Sequence, residues 1–324
     1  MGFVDRIKQY KRIMKQCDEY LSPGCFFLNS NNYRSFYLKK NKHLISNFPK
    51  DFNVGRFKVL KKIYSFFPFY KSSKKSNGVE AKAVYFNNSS YALNVKFFTS
   101  SSVITVYLDS TNYQFKKQQY YRAISAGFPS VDISFNDQNS SSVEPFLSTF
   151  SNKSLSNKNS FAFLIKFYTN RFDNGTPTFM VNPKDCQNSP LNASTSLYFS
   201  DSYKYPCFIQ HGDLSSDNVF FDQNLKSLFF IDFDWVSFFP PYYDVFFFIF
   251  NSSFNGNDVF FNSFIDGEYD SFFTIKYGPL SSLLKMFFDY FVCTRGDVVF
   301  YKEKIIKAID AISLREKITP SRNG

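Results

Sequence analysis

The sequence predicts an α+β protein with two lobes, a small lobe built on an antiparallel sheet and a larger, mainly helical lobe, preceded by a basic helical N-terminal extension. Short apolar or alternating segments are concentrated in residues 79–147, and longer segments of helical composition follow in 148–324. An excess of Lys and Arg marks the extension, 1–78. At 324 residues the chain is long enough for both lobes and their cores.

The extension carries the basic excess of the whole chain. Residues 1–78 hold 17 Lys and Arg against 4 Asp and Glu, out of totals of 38 and 27 that give a net charge of +11. Apolar residues recur at helical spacing over 3–14 with basic residues between them, which predicts an amphipathic helix. A second basic segment over 54–70 has the same pattern, and the polar stretch 71–78 is a predicted linker.

Two interpretations of these basic segments remain open. Lys-rich helices usually pack their apolar stripe on the protein and leave the charges in water. Alternatively, residues 1–70 lie against an anionic membrane, held by the charges and the apolar stripe. Nucleic acid is not an expected partner, because no helix-turn-helix, zinc-finger or RNA-binding sheet signature accompanies the charge.

The small lobe is predicted from periodicity. Its elements are strands at 79–86, 91–98 and 102–108, a helix at 114–126 and a strand at 131–135. A segment at 142–147 follows and closes the lobe, and 144–147 are its last four residues. The large lobe is predicted to contain helices at 160–172, 260–264, 280–291 and 298–312. The 46 Phe and 22 Tyr are attributed to an AT-rich coding sequence rather than to a stacking surface, and the Phe-rich run 245–250 is interpreted as core.

The Cys and His content and the length of the apolar runs argue against several classes of protein. Five Cys residues without a Cys-x-x-Cys pair, and two His residues, argue against a disulfide framework or a zinc site. No apolar run is long enough to span a bilayer, and no secretory signal is evident. A cytoplasmic location is expected, with peripheral contact at the inner face of the membrane as the open alternative.

One motif specifies a chemistry. An apolar strand at 207–210 leads into His211, Asp213 and Asn218, spaced as His-x-Asp-x-x-x-x-Asn. Asp232 follows fourteen residues after Asn218, at the end of a second predicted strand, 228–231. Turn residues at 222–224 separate the two strands, so the loop and Asp232 are expected side by side.

These side chains are the ones that phosphoryl transfer requires. Asp213 would orient or accept the proton of an attacking hydroxyl, and His211 would organise the loop. Asn218 and Asp232 would supply the hard oxygen ligands that Mg²⁺ prefers in combination with phosphate oxygens. The motif therefore predicts a Mg²⁺-dependent phosphotransferase site.

The motif resembles that of the aminoglycoside phosphotransferase and choline kinase superfamily, the small-molecule branch of the protein-kinase-like fold. The matching segments are His211-Gly212-Asp213-Leu214 with Asn218, Ile231-Asp232-Phe233-Asp234, and Tyr243-Asp244-Val245. The resemblance is clear over 207–250 and looser over 80–310. It implies transfer from ATP or GTP to a hydroxyl, a structural role for Asp244 beneath the loop, and a nucleotide-binding hinge containing Glu144 and Phe146.

The chain also departs from the superfamily pattern. The Lys expected in the third strand of the small lobe is Thr105, and the Glu expected in the next helix is Gln118. Lys96 on the neighbouring strand is either a replacement phosphate contact or a solvent-facing Lys. The acceptor is expected to be a small molecule or a glycan, and analogy suggests surface-polysaccharide or lipopolysaccharide synthesis. An inactive nucleotide-binding scaffold and a membrane or polysaccharide-complex adaptor are the alternatives.

Overall fold

The structure, a computed structural model, describes most of the chain in two compact units. The described residues are 3–29, 32–41, 62, 64–73, 79–89, 92–146, 155, 158–180, 205–222, 226–274, 276–295 and 299–318. The sheet unit comprises Met1–Gln118 and Val131–Ser151, and the helical unit comprises Gln119–Ser130 and Asn152–Gly324. The α+β class is confirmed, while the boundaries at 78 and 147 stay a prediction.

The sheet unit is built on one antiparallel sheet. Its eight described strands are β1 (Gly24–Asn29), β2 (Asn32–Leu38), β3 (Pro68–Ser72), β4 (Ala83–Ser89), β5 (Ala92–Phe98), β6 (Ser102–Tyr107), β7 (Ser134–Asn136) and β8 (Ser141–Pro145). They follow the order β3-β1-β2-β4-β5-β6-β8-β7, with antiparallel pairing throughout. The predicted strands at 79–86, 91–98, 102–108 and 131–135 are seen with shifted ends.

The predicted N-terminal helix, α1 (Phe3–Gln16), covers one face of this sheet. Ile7, Tyr10 and Met14 of its apolar stripe are buried with residues of the sheet in a single cluster, where Tyr10 stacks on Phe86 with ring centroids 4.2 Å apart. The packing interpretation is therefore correct for these three side chains, and contact of residues 1–70 with a membrane stays a proposal. Among the described residues, no helix is long and apolar enough to cross a bilayer.

The rest of the extension contains strands that the periodicity analysis did not identify. Strands β1, β2 and β3 all come from residues before 79, so the prediction of a purely helical extension over 1–78 is wrong. In the second basic segment, 54–61 lie outside the described residues, 64–66 form a helical turn, and β3 begins at Pro68. Lys71 and Ser72 of the predicted linker also belong to β3, because they pair with β1.

The opposite face of the sheet carries a polar row. The register pairs Lys96 with Thr105 and Thr105 with Ser142, so the three side chains lie on one face. Beside them Phe98 packs edge-on against Phe146, with ring centroids 5.6 Å apart. Helix α2 (Ser110–Ser125) follows β6, and its residues are divided between the two units at Gln118.

The helical unit is built around an aromatic core. Its described helices are α3 (Lys158–Asn174), α4 (Tyr243–Phe254), α5 (Val259–Ile265), α6 (Leu280–Arg295) and α7 (Val299–Ile318). All four predicted helices of this region are confirmed, each slightly longer than predicted. Every residue of α4 from Tyr243 to Phe250 is buried, which confirms that this Phe-rich segment is core.

The described part of the helical unit also contains five short strands, which lie on both sides of the loop 211–218 in the sequence. They are β9 (Thr178–Met180), β10 (Tyr205–Gln210), β11 (Val219–Asp222), β12 (Ser227–Phe230) and β13 (Ser237–Phe239). Strand β10 lies between β9 and β13, whereas β11 and β12 pair with each other as predicted. The residues between β10 and β11 form the loop that carries the predicted site, 211–218, called the catalytic loop below.

Candidate active site

The β11–β12 hairpin places Asp232 beside the catalytic loop. Val219 pairs with Phe230, so Asn218 and Ile231 leave the hairpin at the same end. There the N–H of Ile231 donates to the carbonyl oxygen of Asn218 at 3.0 Å, which joins the end of the loop to the residue before Asp232. The predicted proximity of the loop and Asp232 is confirmed.

His211 connects the start of the loop to Ile231, the residue that also bonds Asn218. The ring is buried, and its Nε2 lies 2.7 Å from the carbonyl oxygen of Ile231. Since a carbonyl can only accept, Nε2 carries the proton in this contact. The N–H of Asp213 approaches Nδ1 at 3.4 Å. Both ring nitrogens therefore face backbone groups, an arrangement suited to organising the loop rather than to exchanging protons with a substrate.

Asp244, at the start of α4, holds the loop from the core side. Its carboxylate is fully buried and accepts hydrogen bonds from the N–H groups of His211 and Gly212, at 2.6 and 2.8 Å. The hydroxyl of Tyr168 donates to the same carboxylate. Burial raises the pKa of Asp244 above its ordinary value, and the hydrogen bonds to its oxygens act in the opposite direction.

Gly212 is required between these two anchors. Its φ is +81°, a left-handed conformation that L side chains rarely adopt. A Cβ atom at this position would lie 2.4 Å from the carbonyl oxygen of Trp235 and 2.6 Å from the ring of Phe239. The turn before Asp213 is consequently restricted to glycine by both backbone conformation and packing.

Asn218 is oriented by the loop that it ends. Its Nδ2 donates to the carbonyl oxygen of Asp213 at 2.9 Å, which leaves the amide Oδ1 as the atom that can bind a cation. Asp232 has a φ of +61° and an exposed side chain. In the described part of the chain no three His, Cys, Asp or Glu side chains converge as a metal cage. One amide and one carboxylate fit Mg²⁺, which typically completes its shell with phosphate oxygens and water.

Arg295 is a residue of this site that the sequence analysis did not identify. It is the last residue of α6, and its Nη2 donates to Asp213 Oδ1 at 3.2 Å and to the carbonyl oxygen of Gly212. Burial opposes its charge, but Tyr243 and Asp213 favour it, and the net effect raises the pKa of the guanidinium. No sequence signal links residues 82 positions apart, so this contact could be found only in the structure.

The predicted site residues divide between the two units. His211, Asp213, Asn218, Asp232 and Asp244 come together in the helical unit, through the contacts above. Lys96, Glu144 and Phe146 lie in the sheet unit, on β5, on β8 and directly after β8. The backbone N–H of Phe146 donates to the carbonyl oxygen of Ser101 at 2.8 Å.

No protein-family model matches the chain, and no curated protein matches it. Solved structures that are similar include choline kinase LicA from Streptococcus pneumoniae, at 13% identity and a TM-score of 0.41, covering 70% of this chain and 93% of that one. A choline/ethanolamine kinase family protein from Mesorhizobium loti has 10% identity and a TM-score of 0.35, covering 73% and 88%. A GDP complex of aminoglycoside 2'-phosphotransferase-IIIa has 13% identity and a TM-score of 0.33, covering 76% and 89%.

These neighbours come from the superfamily that the catalytic-loop motif resembles. Because every one of the three TM-scores is below 0.5, the likeness adds no weight to a function. The chemistry of the site rests on the residues of this chain.

Proposed function

We propose that the protein is an ATP- or GTP-dependent phosphotransferase that acts on a hydroxyl of a small molecule or a sugar. The observation that carries this proposal is the joining of the catalytic loop to Asp232 through Ile231. Asn218 and His211 hold Ile231 by its N–H and its carbonyl oxygen, at 3.0 and 2.7 Å. The amide of Asn218 and the carboxylate of Asp232 thus stand at adjacent ends of the paired strands β11 and β12, and Asp213 is in the loop that His211 and Asn218 join to Ile231.

Asp213 is the proposed base. As the acceptor oxygen bonds to the terminal phosphorus, the bond from that phosphorus to its bridging oxygen breaks and a nucleoside diphosphate leaves. The proton of the acceptor hydroxyl passes to the carboxylate of Asp213. A partly exposed carboxylate at the tip of a fixed loop is suited to this step, since the acceptor must reach it from solvent.

Asn218 and Asp232 are the proposed Mg²⁺ ligands. Oδ1 of Asn218 is the cation-binding atom, because its Nδ2 is already used by the loop. Mg²⁺, when bound, would neutralise phosphate charge and favour departure of the diphosphate. His211 and Asp244 take no part in bond making, and their proposed role is to keep the loop in one conformation.

For the sheet unit taken by itself, Lys96 is the proposed phosphate contact and Glu144 with Phe146 the proposed adenine-binding segment. The support for Lys96 is its position in a row with Thr105 and Ser142, where the strand register gives the three residues a common face. Thr105 occupies the position at which the superfamily carries its Lys, so a basic group on the adjacent strand is the nearest substitute.

The presence of Thr105 in place of that Lys favours a second candidate, a nucleotide-binding scaffold without activity. Loss of the Lys and Glu pair weakens the hold on the phosphates, and phosphate positioning is a large part of phosphoryl-transfer catalysis. The retention of Asp213, Asn218 and Asp232 makes the active enzyme the better supported of the two. A glycan acceptor, a polysaccharide role and contact of residues 1–70 with membrane remain proposals of lower rank.

The first test is nucleotide binding and hydrolysis by the purified protein, with ATP and GTP, in the presence and absence of Mg²⁺. We expect Mg²⁺-dependent binding and slow hydrolysis with water as acceptor. Asp213→Asn should lower turnover by about 100-fold or more, because general base catalysis contributes roughly that much. Asp270→Asn is the matched control, since Asp270 is an exposed carboxylate of the helical unit that pairs with Arg315.

The outcomes separate the candidates. Turnover that is lost in Asp213→Asn and kept in Asp270→Asn supports the phosphotransferase. Binding without turnover, in the presence of a panel of sugars and amino alcohols, would favour the scaffold. Folded protein that binds neither nucleotide would overturn both and favour the adaptor.

A further inference from the structure

Arg295 joins three parts of the site through one guanidinium group. Nη2 contacts Asp213 Oδ1 at 3.2 Å and the carbonyl oxygen of Gly212. The guanidinium carbon lies 4.6 Å from the ring centroid of Trp235 and 5.1 Å from that of Phe247. Trp235 follows Asp232 by three positions, so the same cation touches the segments that carry the proposed base and a proposed metal ligand.

We propose that Arg295 is a positioning residue that fixes the Asp213 carboxylate for proton transfer, an inference that rests on the proposed function. Asp213 is on a loop, and its side chain is 34% exposed. Left alone, such a carboxylate would sample several rotamers. The contact with Arg295 holds Oδ1, so that Oδ2 is the oxygen presented to the acceptor hydroxyl.

The surroundings of Arg295 suit a fixed clamp rather than a mobile surface charge. Its side chain is only 20% exposed, and its guanidinium contacts two aromatic rings, those of Trp235 and Phe247. The cation stands at the C-terminus of α6, where the helix dipole favours positive charge. The helix itself is anchored, because the hydroxyl of Tyr290 donates to the carbonyl oxygen of Phe238 at 3.0 Å.

The planar guanidinium makes the role specific to Arg. It can bond a carboxylate and a carbonyl and also contact Trp235, whose ring centroid lies 4.6 Å away, whereas a Lys ammonium is a point charge without a planar face. Arg295→Lys should therefore keep the ion pair and lose part of the contact with Trp235. Arg295→Met should lose both and keep most of the side-chain volume.

The experiment measures kcat and KM for nucleotide hydrolysis in wild type, Arg295→Met, Arg295→Lys and Arg315→Met, with thermal unfolding of each. Arg315 is a matched control, because it also bonds a carboxylate, that of Asp270, together with the carbonyl oxygen of Ile265. We expect Arg295→Met to lower kcat by about 10- to 100-fold with little change in the KM for nucleotide. Arg295→Lys should recover part of the loss, and Arg315→Met should keep the wild-type kcat.

Fluorescence provides a readout that needs no turnover. Trp235 is the single Trp of the chain. Its emission maximum should shift in Arg295→Met, since the positive charge 4.6 Å from the ring centroid is lost, and should not shift in Arg315→Met.

The possible results distinguish failure of the positioning role from failure of the proposed function. Wild-type kcat in folded Arg295→Met, or a loss explained by lower thermal stability alone, would overturn the positioning role and leave the proposed function standing. Absence of turnover in wild type would overturn the proposed function and, with it, the role of Arg295. An unchanged Trp235 emission in Arg295→Met would overturn the clamp itself.

Discussion

The Asp244 carboxylate accepts hydrogen bonds from two consecutive backbone N–H groups, those of His211 and Gly212. A buried carboxylate that satisfies two backbone donors can fix the path of a loop more firmly than a surface contact, because both donors would otherwise be left unpaired in the core. Tyr168 supplies a further donor from α3. The conformation of the residues before Asp213 is therefore determined in the core and not at the surface.

Gly212 provides the sharpest test of that conformation. Gly212→Ala should lower the free energy of unfolding by about 3 kcal/mol or more, since positive φ and steric overlap both oppose the new methyl group. Gly256→Ala is the control, because Gly256 has a similar φ of +87° and nothing within 4 Å of a Cβ atom. It should cost only about 1 kcal/mol. Urea denaturation measures the free energy of unfolding of both variants. Equal losses in Gly212→Ala and Gly256→Ala would show that residue 212 is not closely packed against Trp235 and Phe239.

At the scale of secondary structure, the hydrophobic pattern predicts the position of most strands and helices, but it does not predict which strands pair with each other. The segments over 91–98, 102–108 and 280–291 have clear periods of two or 3.6 and were placed correctly. Strands β1 and β2 were missed because short apolar runs in a basic region fit either a helix or a strand. The pairing of β2 with β4 depends on residues far apart in the sequence, which a local pattern cannot report.

Helix α1 allows a prediction about the extension. Tyr10→Ala should lower the free energy of unfolding by about 3–5 kcal/mol, because Tyr10 is buried between α1 and the sheet, beside Phe36 and Phe86. Lys11→Ala changes the adjacent, exposed residue and should have an effect within about 0.5 kcal/mol. Chemical denaturation of the two variants is the measurement. A small effect of Tyr10→Ala would mean that α1 is not part of the core and would favour the membrane interpretation.

At the scale of the whole molecule, two features of composition have different meanings. Many of the Phe residues that the structure describes are core, as α4 illustrates from Phe246 to Phe250, so their abundance indicates packing and not a ligand-binding surface. The basic excess belongs to the sheet unit, since residues 1–78 contribute a helix and three strands to it. Net charge alone therefore does not identify a partner for this chain.

The catalytic-loop residues could be predicted from the sequence because they lie within one continuous segment with fixed spacing. Asp213, Asn218 and Asp232 fall within 20 positions, and two adjacent strands are enough to bring them together. Arg295 and Tyr168 could not be found in this way. They reach the loop from α6 and α3, and only the packing of those helices determines which of their side chains face it.

The measurement that tests the central claim most directly is the Mg²⁺ dependence of nucleotide affinity and turnover in wild type, Asp213→Asn and Asp232→Asn. If Asp232 binds the metal, Asp232→Asn should lose the Mg²⁺-dependent part of the affinity. If Asp213 is the base, Asp213→Asn should bind nucleotide with Mg²⁺ as wild type does and lose turnover. Affinity that is independent of Mg²⁺ in wild type, or full turnover in both variants, would contradict the phosphotransferase assignment.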